Sequence, residues 1–341
     1  MINFEFKDIV QLVSRSRSII VTSHYNPDGD AIGSVLAMTA ILRKLGREAV
    51  AMVPNDYPGF LKWMPGTDRV MIFRNNEEKA RQAIMSADLI FCLDYSALNR
   101  TEKMEDDLRK APGKKILIDH HLEPVVSDFD YYYSIVKTSS TSELVYRFIE
   151  ACSWGHLLDQ EVATGLFVGI MTDTGSFSFS CNYPETFKIT AELIQAGIDA
   201  EHIHRLVYDT YSENRLRLLG FCLSEKLTLL PDLHTAYIAL SKAELDRFRH
   251  QVGDTEGIVN YALSIEGITI AVLMTERKDR IRISFRSKGD FSVNRVAREH
   301  FSGGGHRNAA GGDSFASLEE TIIRLKEVLA QYKEDIDRCS K

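Results

Sequence analysis

Between Val21 and Ser34 the chain reads Val-Thr-Ser-His24-Tyr-Asn-Pro27-Asp28-Gly-Asp30-Ala-Ile-Gly33-Ser34. One imidazole and two carboxylates therefore flank a turn enforced by Pro27 and Gly29. Groups of these types at this spacing can converge on one or two cations. Asp28 can also serve simply as a helix cap, with Asp30 in the first turn; capping leaves His24 unexplained. Further acids and imidazoles recur at comparable places: Asp94, then Asp119-His120-His121, then Asp173. Asp173 ends an apolar helical stretch, where a carboxylate opposes the local dipole and needs a compensating cation. Four ligand carboxylates meeting in one pocket would repel by roughly 4 kcal/mol per pair at 4 Å and an effective dielectric of 20. Two divalent cations cancel that charge and form the clamp used in phosphoryl displacement. Imidazole and carboxylate donors without thiolate suit Mn²⁺ first, then Mg²⁺, Co²⁺ or Fe²⁺.

The elements that must position these groups follow from the hydrophobic pattern. Apolar runs at 18–21, 48–53, 69–73, 88–93, 115–118 and 131–136 read as strands, and 31–45, 77–86, 102–110, 141–149 and 162–171 read as helices. This βα alternation predicts an α/β chain with a doubly wound, mostly parallel sheet. His24, Asp28, Asp94 and Asp119 to His121 all follow strands, so the fold would deliver them to one crevice at the strands' carboxyl ends. Ser140, with Glu143 three residues on, forms a capping-box pattern, and the surrounding hydroxyls and amides offer a phosphate site.

Two domains are expected from 341 residues. We place the catalytic domain at 1–195, a helical linker at 196–225 and a smaller α/β substrate domain at 226–341, with a cleft between the domains. In the smaller domain, 280–288 alternates Ile281, Ile283 and Phe285 with Arg280, Arg282, Ser284, Arg286 and Lys288. The stretch Gly303-Gly304-Gly305-His306-Arg307-Asn-Ala-Ala-Gly311-Gly312 holds five of the 21 glycines. Such backbone freedom can wrap amides around an anion, with His306 and Arg307 supplying charge. Residues 277–307 carry nine Lys/Arg against three acids, while the whole chain has a net charge of −7. One basic patch on an acidic protein suits a short anionic ligand and argues against long nucleic acid. Five scattered cysteines without CxxC spacing argue against both a disulfide framework and a zinc site. No apolar run nears the roughly 18 residues of a membrane helix, and the N-terminus lacks a signal pattern, so a cytoplasmic location is expected.

His24-x3-Asp28-x-Asp30, Asp94-Tyr-Ser-Ala-Leu-Asn-Arg100, Asp119-His120-His121 and Thr172-Asp173-Thr174-Gly175 together resemble the four signature motifs of the DHH phosphoesterases. The glycine-rich stretch is similar to that superfamily's associated C-terminal substrate domain. Length and domain content resemble its stand-alone nanoRNase and pAp phosphatase type. The resemblance implies that His24, Asp28 and Asp94 hold one divalent cation and that Asp30, Asp94, His120 and Asp173 hold a second, with Asp94 bridging. It further implies that Asp119 orients a ligand histidine, that His121 meets the scissile phosphate or the leaving oxygen, and that Arg100 clamps phosphate. Ser140, Arg286, Gly304, Gly305, His306 and Arg307 are the candidates for holding the rest of the substrate.

On this reading the chain is a Mn²⁺-dependent phosphodiesterase and phosphomonoesterase. It would act on short RNA oligonucleotides and on 3′-phosphoadenosine 5′-phosphate (pAp), with no membrane partner and with a homodimer left open. The alternatives are hydrolysis of cyclic di-AMP or pApA, pyrophosphatase or exopolyphosphatase activity, and a regulator that binds nucleotide and metal without turnover. The intact motif set argues against the last.

Overall fold

The computed structural model describes residues 1–340 and divides into two compact units, Met1–Thr210 and Tyr211–Lys341. The stretch expected as a linker is split between them at Thr210.

In the first unit a short helix α1 (Phe6–Arg15) precedes β1 (Ser18–Thr22), α2 (Gly29–Lys44), β2 (Glu48–Val53) and β3 (Met71–Ile72). Then come α3 (Glu77–Ser86), β4 (Leu89–Leu93), α4 (Glu105–Lys110), β5 (Lys114–Asp119), β6 (Tyr131–Ser134) and α5 (Thr141–Ala151). Helices α6 (Gln160–Asp173), α7 (Pro184–Gln195) and α8 (Ala200–Tyr208) complete the unit. The strands lie in the order β3-β2-β1-β4-β5-β6, every neighbouring pair parallel. Alternate strand residues feed two cores on opposite faces: Ile19, Val21, Phe91 and Ile118 on one, Ile20, Ile90, Cys92 and Leu117 on the other. Being buried on both faces is why these strands read as continuous apolar runs. Strand β3 is shorter than its expected range of 69–73, because Thr67–Arg69 and Phe73–Asn75 close into 3₁₀ turns around it.

Helices α2 and α6 form the spine of one face, and they run antiparallel. Gly29 lies against Thr172, Gly33 against Gly165 and Gly169, and Lys44 Nζ bonds the Asp159 carboxylate at 2.6 Å. The approach is so close that a Cβ on Gly33 would sit 2.3 Å from the Gly165 carbonyl oxygen. This arrangement sets the start of α2 beside the end of α6.

The second unit opens with α9 (Glu213–Phe221) and β7 (Leu227–Leu230), followed by β8 (Thr235–Leu240), α10 (Lys242–Arg247) and α11 (Ile258–Leu263). Strands β9 (Ile270–Glu276) and β10 (Ile281–Ser287), helix α12 (Val293–His300), β11 (Gly304–Gly305), β12 (Ala309–Ser314), α13 (Leu318–Gln331) and α14 (Lys333–Cys339) complete it. Its sheet runs β11-β12-β10-β9-β8-β7, antiparallel except for the β8–β9 pair. It too has apolar cores of its own. Among the described residues no helix is long and apolar enough to cross a membrane, and all five cysteines are free thiols.

Candidate metal centre

The site is assembled at the carboxyl ends of β1, β4 and β5. The strand order places β1 and β4 side by side at the point where successive connections reverse direction, which is where open parallel sheets leave a crevice. His24 follows β1, Asp94 follows β4, and Asp119-His120-His121 ends β5. The antiparallel α2–α6 pair adds Asp28 and Asp30 from one helix start and Asp173 from the other helix end.

Asp94 is the centre of the arrangement. It is 2% exposed and adopts a left-handed conformation with φ of 65°, which aspartate tolerates better than most residues. Its amide donates to the Ile118 carbonyl at 3.1 Å, tying the end of β4 to β5. One carboxylate oxygen lies 3.5 Å from His24 Nε2 and the other 3.5 Å from His120 Nε2. His120 Nε2 also lies 3.8 Å from Asp30 and 3.5 Å from Asp173. Donor atoms of His24, Asp28 and Asp94 all fall within 4.8 Å of one another, and so do those of Asp30, Asp94 and His120. Asp94 is common to both groups. Asp28 also caps α2, with one oxygen accepting from the amides of Asp30 and Ala31. Capping and convergence on a cation are thus compatible, because a carboxylate has two oxygens.

Burial and mutual proximity shift the ionisable groups of the pocket in opposite directions. Burial, reinforced by Asp94 and Asp173, pushes the Asp30 carboxyl well above its usual range. Burial together with its acidic neighbours also raises Asp173, against the pull of His120. Burial would raise Asp94 as well, but hydrogen bonds from His120 and His24 outweigh it and hold that carboxyl well below the usual range. The converse shift lifts His120 to about 10: burial opposes the charge, and the Asp94, Asp173 and Asp30 carboxylates overcome it. Asp30, Asp94, Asp173 and His120 are thus shifted by burial and by one another. Divalent cations fit this donor set, since they would neutralise the acids and leave both imidazoles neutral. Oxygen and imidazole donors without sulfur suit Mn²⁺, Mg²⁺, Co²⁺ or Fe²⁺.

The remaining expected residues lie as follows. Asp119 is fully buried and accepts from His121 Nδ1 at 2.7 Å, so the histidine it orients is His121. Arg100 is exposed, and its carbonyl accepts from the Tyr25 amide next to His24. Ser140 is fully buried, with its hydroxyl committed to the Glu143 amide at the start of α5. The amides expected to face a phosphate there, those of Thr141 and Ser142, instead donate to the two oxygens of Asp30 at 2.6 and 2.8 Å. Only half of the expected capping box forms, because the Glu143 carboxylate accepts from Ser139 and not from the Ser140 amide.

In the second unit Arg286 lies on β10, whose burial alternates as expected. Arg280 and Arg282 on that face are partly neutralised by Asp313 of β12, at 3.5 and 3.3 Å. Gly304 and Gly305 form β11 and pair with β12, and His306 closes the intervening turn. Of the five glycines only Gly305 has a positive φ. Gly303 and Gly312 are there because a Cβ would meet backbone at 2.0 and 2.9 Å. The glycines therefore serve close strand packing more than an open anion loop. Arg307 donates to the Asp290 carbonyl at 3.1 and 2.7 Å.

Sequence reasoning missed Thr141 as a site residue. Its hydroxyl donates to Asp94 at 2.9 Å. The available signal was a run of five Ser/Thr at 138–142, more hydroxyls than one helix cap requires.

Comparison with known proteins agrees with this geometry. The family model "DHH family, N-terminal domain" matches residues 18–170, and the DHHA1 domain model matches 237–335. The chain is 30% identical over 329 residues to the bifunctional oligoribonuclease and PAP phosphatase NrnA of Thermus thermophilus, covering 94% of this chain and 91% of that protein. It is 28% identical over 331 residues to the Bacillus subtilis protein of the same name, covering 96% and 99%. Among solved structures it superposes on an exopolyphosphatase-related protein from Bacteroides fragilis with a TM-score of 0.92 at 40% identity, covering 98% and 97% of the two chains.

Proposed function

The chain belongs to the DHH phosphoesterase superfamily and is a hydrolase of the NrnA-like type, and from that premise we propose that it uses two divalent cations, Mn²⁺ first among them, to cleave short RNA oligonucleotides and pAp. The observation that carries this reading is the pair of three-residue donor groups sharing Asp94. His24, Asp28 and Asp94 would hold one cation, and Asp30, Asp94, His120 and Asp173 the other. The cations would supply neutralisation of the phosphate charge and activation of water for in-line attack.

The chain's own residues supply the rest. Asp119 fixes the Nδ1 proton of His121, which makes Nε2 the nitrogen through which a proton reaches the leaving oxygen. Because Asp119 is fully buried, that orientation is held by a side chain water does not compete for. Arg100, whose backbone is tied to Tyr25, would grip a non-bridging phosphate oxygen, as a guanidinium can do with two bonds at once. His306, Gly304, Gly305 and Arg286 would hold the part of the substrate beyond the scissile phosphate. Arg307 would act there indirectly, by holding the Asp290 turn. The relatives named as oligoribonuclease and PAP phosphatase support a small nucleotide substrate for this chain as well.

The test is a side-by-side incubation of purified protein and Mn²⁺ with a ribodinucleotide, a long RNA, pAp, cyclic di-AMP and pyrophosphate. Mononucleotide release from the dinucleotide should far outpace release from the long RNA, and pAp should lose its 3′-phosphate. Pyrophosphate as the sole substrate would replace the proposal with a pyrophosphatase.

A further inference from the structure

Both oxygens of Asp30 are held by main-chain donors, and both donors come from a helix that supplies no candidate ligand. Helix α5 begins at Thr141, and its first two amides, Thr141 and Ser142, would ordinarily be left without an intrahelical partner. Here they close on the Asp30 carboxylate at 2.6 and 2.8 Å. The same Thr141 turns its hydroxyl onto Asp94 at 2.9 Å. One residue thus touches a carboxylate of each kind, through its backbone for Asp30 and through its side chain for the shared Asp94. Thr141, Ser142, Asp30 and Asp94 are all at most 2% exposed, so water does not substitute for these bonds.

Two further observations show that the turn bearing Thr141 is held from outside the pocket. Glu143 is 1% exposed, and its Oε2 accepts from the Ser139 amide at 3.2 Å, the Ser139 hydroxyl at 2.6 Å and the Thr186 hydroxyl of α7 at 2.6 Å. A buried carboxylate this fully engaged pins residues 139–142 against α7. On the opposite side, α6 makes room at Gly169, where a Cβ would fall 1.9 Å from Ser142 Oγ and 2.7 Å from Asp30 Oδ1.

We propose that Thr141, anchored through Glu143, is a positioning residue that sets the spacing of Asp30 and Asp94 and so the affinity of the pair for its cations. The inference rests on the metal-centre reading above. Groups standing behind metal ligands change metal affinity about 10- to 100-fold when lost.

The experiment titrates metal-stripped full-length protein with Mn²⁺ by calorimetry, with the melting temperature of the metal-free protein as a control for folding. Thr141→Val keeps the shape and the amide but loses the hydroxyl; it should weaken Mn²⁺ binding about 10- to 100-fold in a metal-free protein that still unfolds cooperatively, at a melting temperature lowered by the lost buried hydrogen bond. Thr141→Ser restores the hydroxyl and should restore binding. Glu143→Gln should weaken binding in the same direction as Thr141→Val. Wild-type affinity in Thr141→Val, or equal weakening in Thr141→Ser, overturns the proposal. Should the valine variant fail to fold, Thr141→Ala takes its place with the same two outcomes. A wild-type chain that takes up no Mn²⁺ overturns the metal-centre reading and this inference with it.

Discussion

At the scale of single residues, Asp94 concentrates the chemistry because it belongs to both donor groups and receives hydrogen bonds from two imidazoles and a threonine. Asp94→Asn is the cleanest probe: asparagine tolerates the left-handed backbone and conserves volume, while the shared charge disappears. We expect it to weaken Mn²⁺ binding at both groups and to cut turnover at least about a hundredfold, with the metal-free fold intact by circular dichroism. Wild-type turnover would remove Asp94 from its shared role. The acids and imidazoles themselves were legible in the sequence because each sits just past an apolar run or at the rim of a helical one. Thr141 was not, since an ordinary helix cap accounted for its neighbourhood. Sequence reasoning assigned Asp119 a ligand histidine without saying which, and the structure pairs it with His121, outside the proposed ligand set.

At the scale of elements, the pocket depends on how closely α2 and α6 approach. Asp30, at the start of α2, and Asp173, at the end of α6, meet at one end of an antiparallel pair whose separation is fixed at Gly33, Gly165 and Gly169. Gly33→Ala would drive a methyl group into the Gly165 carbonyl, and overpacking of this kind costs about 1–3 kcal/mol. Chemical denaturation should register that loss, and calorimetry should register weaker Mn²⁺ binding in the same variant. A destabilised variant with unaltered Mn²⁺ affinity would show that helix spacing does not control the site. The strands and long helices were readable from periodicity, since burial on both faces leaves uninterrupted apolar runs. Short-range signals were less faithful. The glycines at 303–312 suggested a loop free to wrap an anion, whereas most of them are small because β11, β12 and Phe301 approach one another without room for a side chain.

At the scale of the whole molecule, all six proposed ligand residues lie in Met1–Thr210, which has apolar cores of its own. Residues 1–210 expressed alone should therefore fold and bind Mn²⁺ with the affinity of the full chain, measured by calorimetry. Loss of binding would mean that Tyr211–Lys341 contributes a donor. The ligands themselves are spread from position 24 to position 173, across three strands that meet only after the intervening helices have crossed over. During synthesis, then, the early motif leaves the ribosome without a metal-holding partner, and no shortened product ending before α6 can own the complete ligand set. On the proposed assignment, the group of His24, Asp28 and Asp94 is complete once β4 has paired with β1, whereas the second group waits for Asp173 at the end of α6, so capture of both cations would follow completion of the parallel sheet.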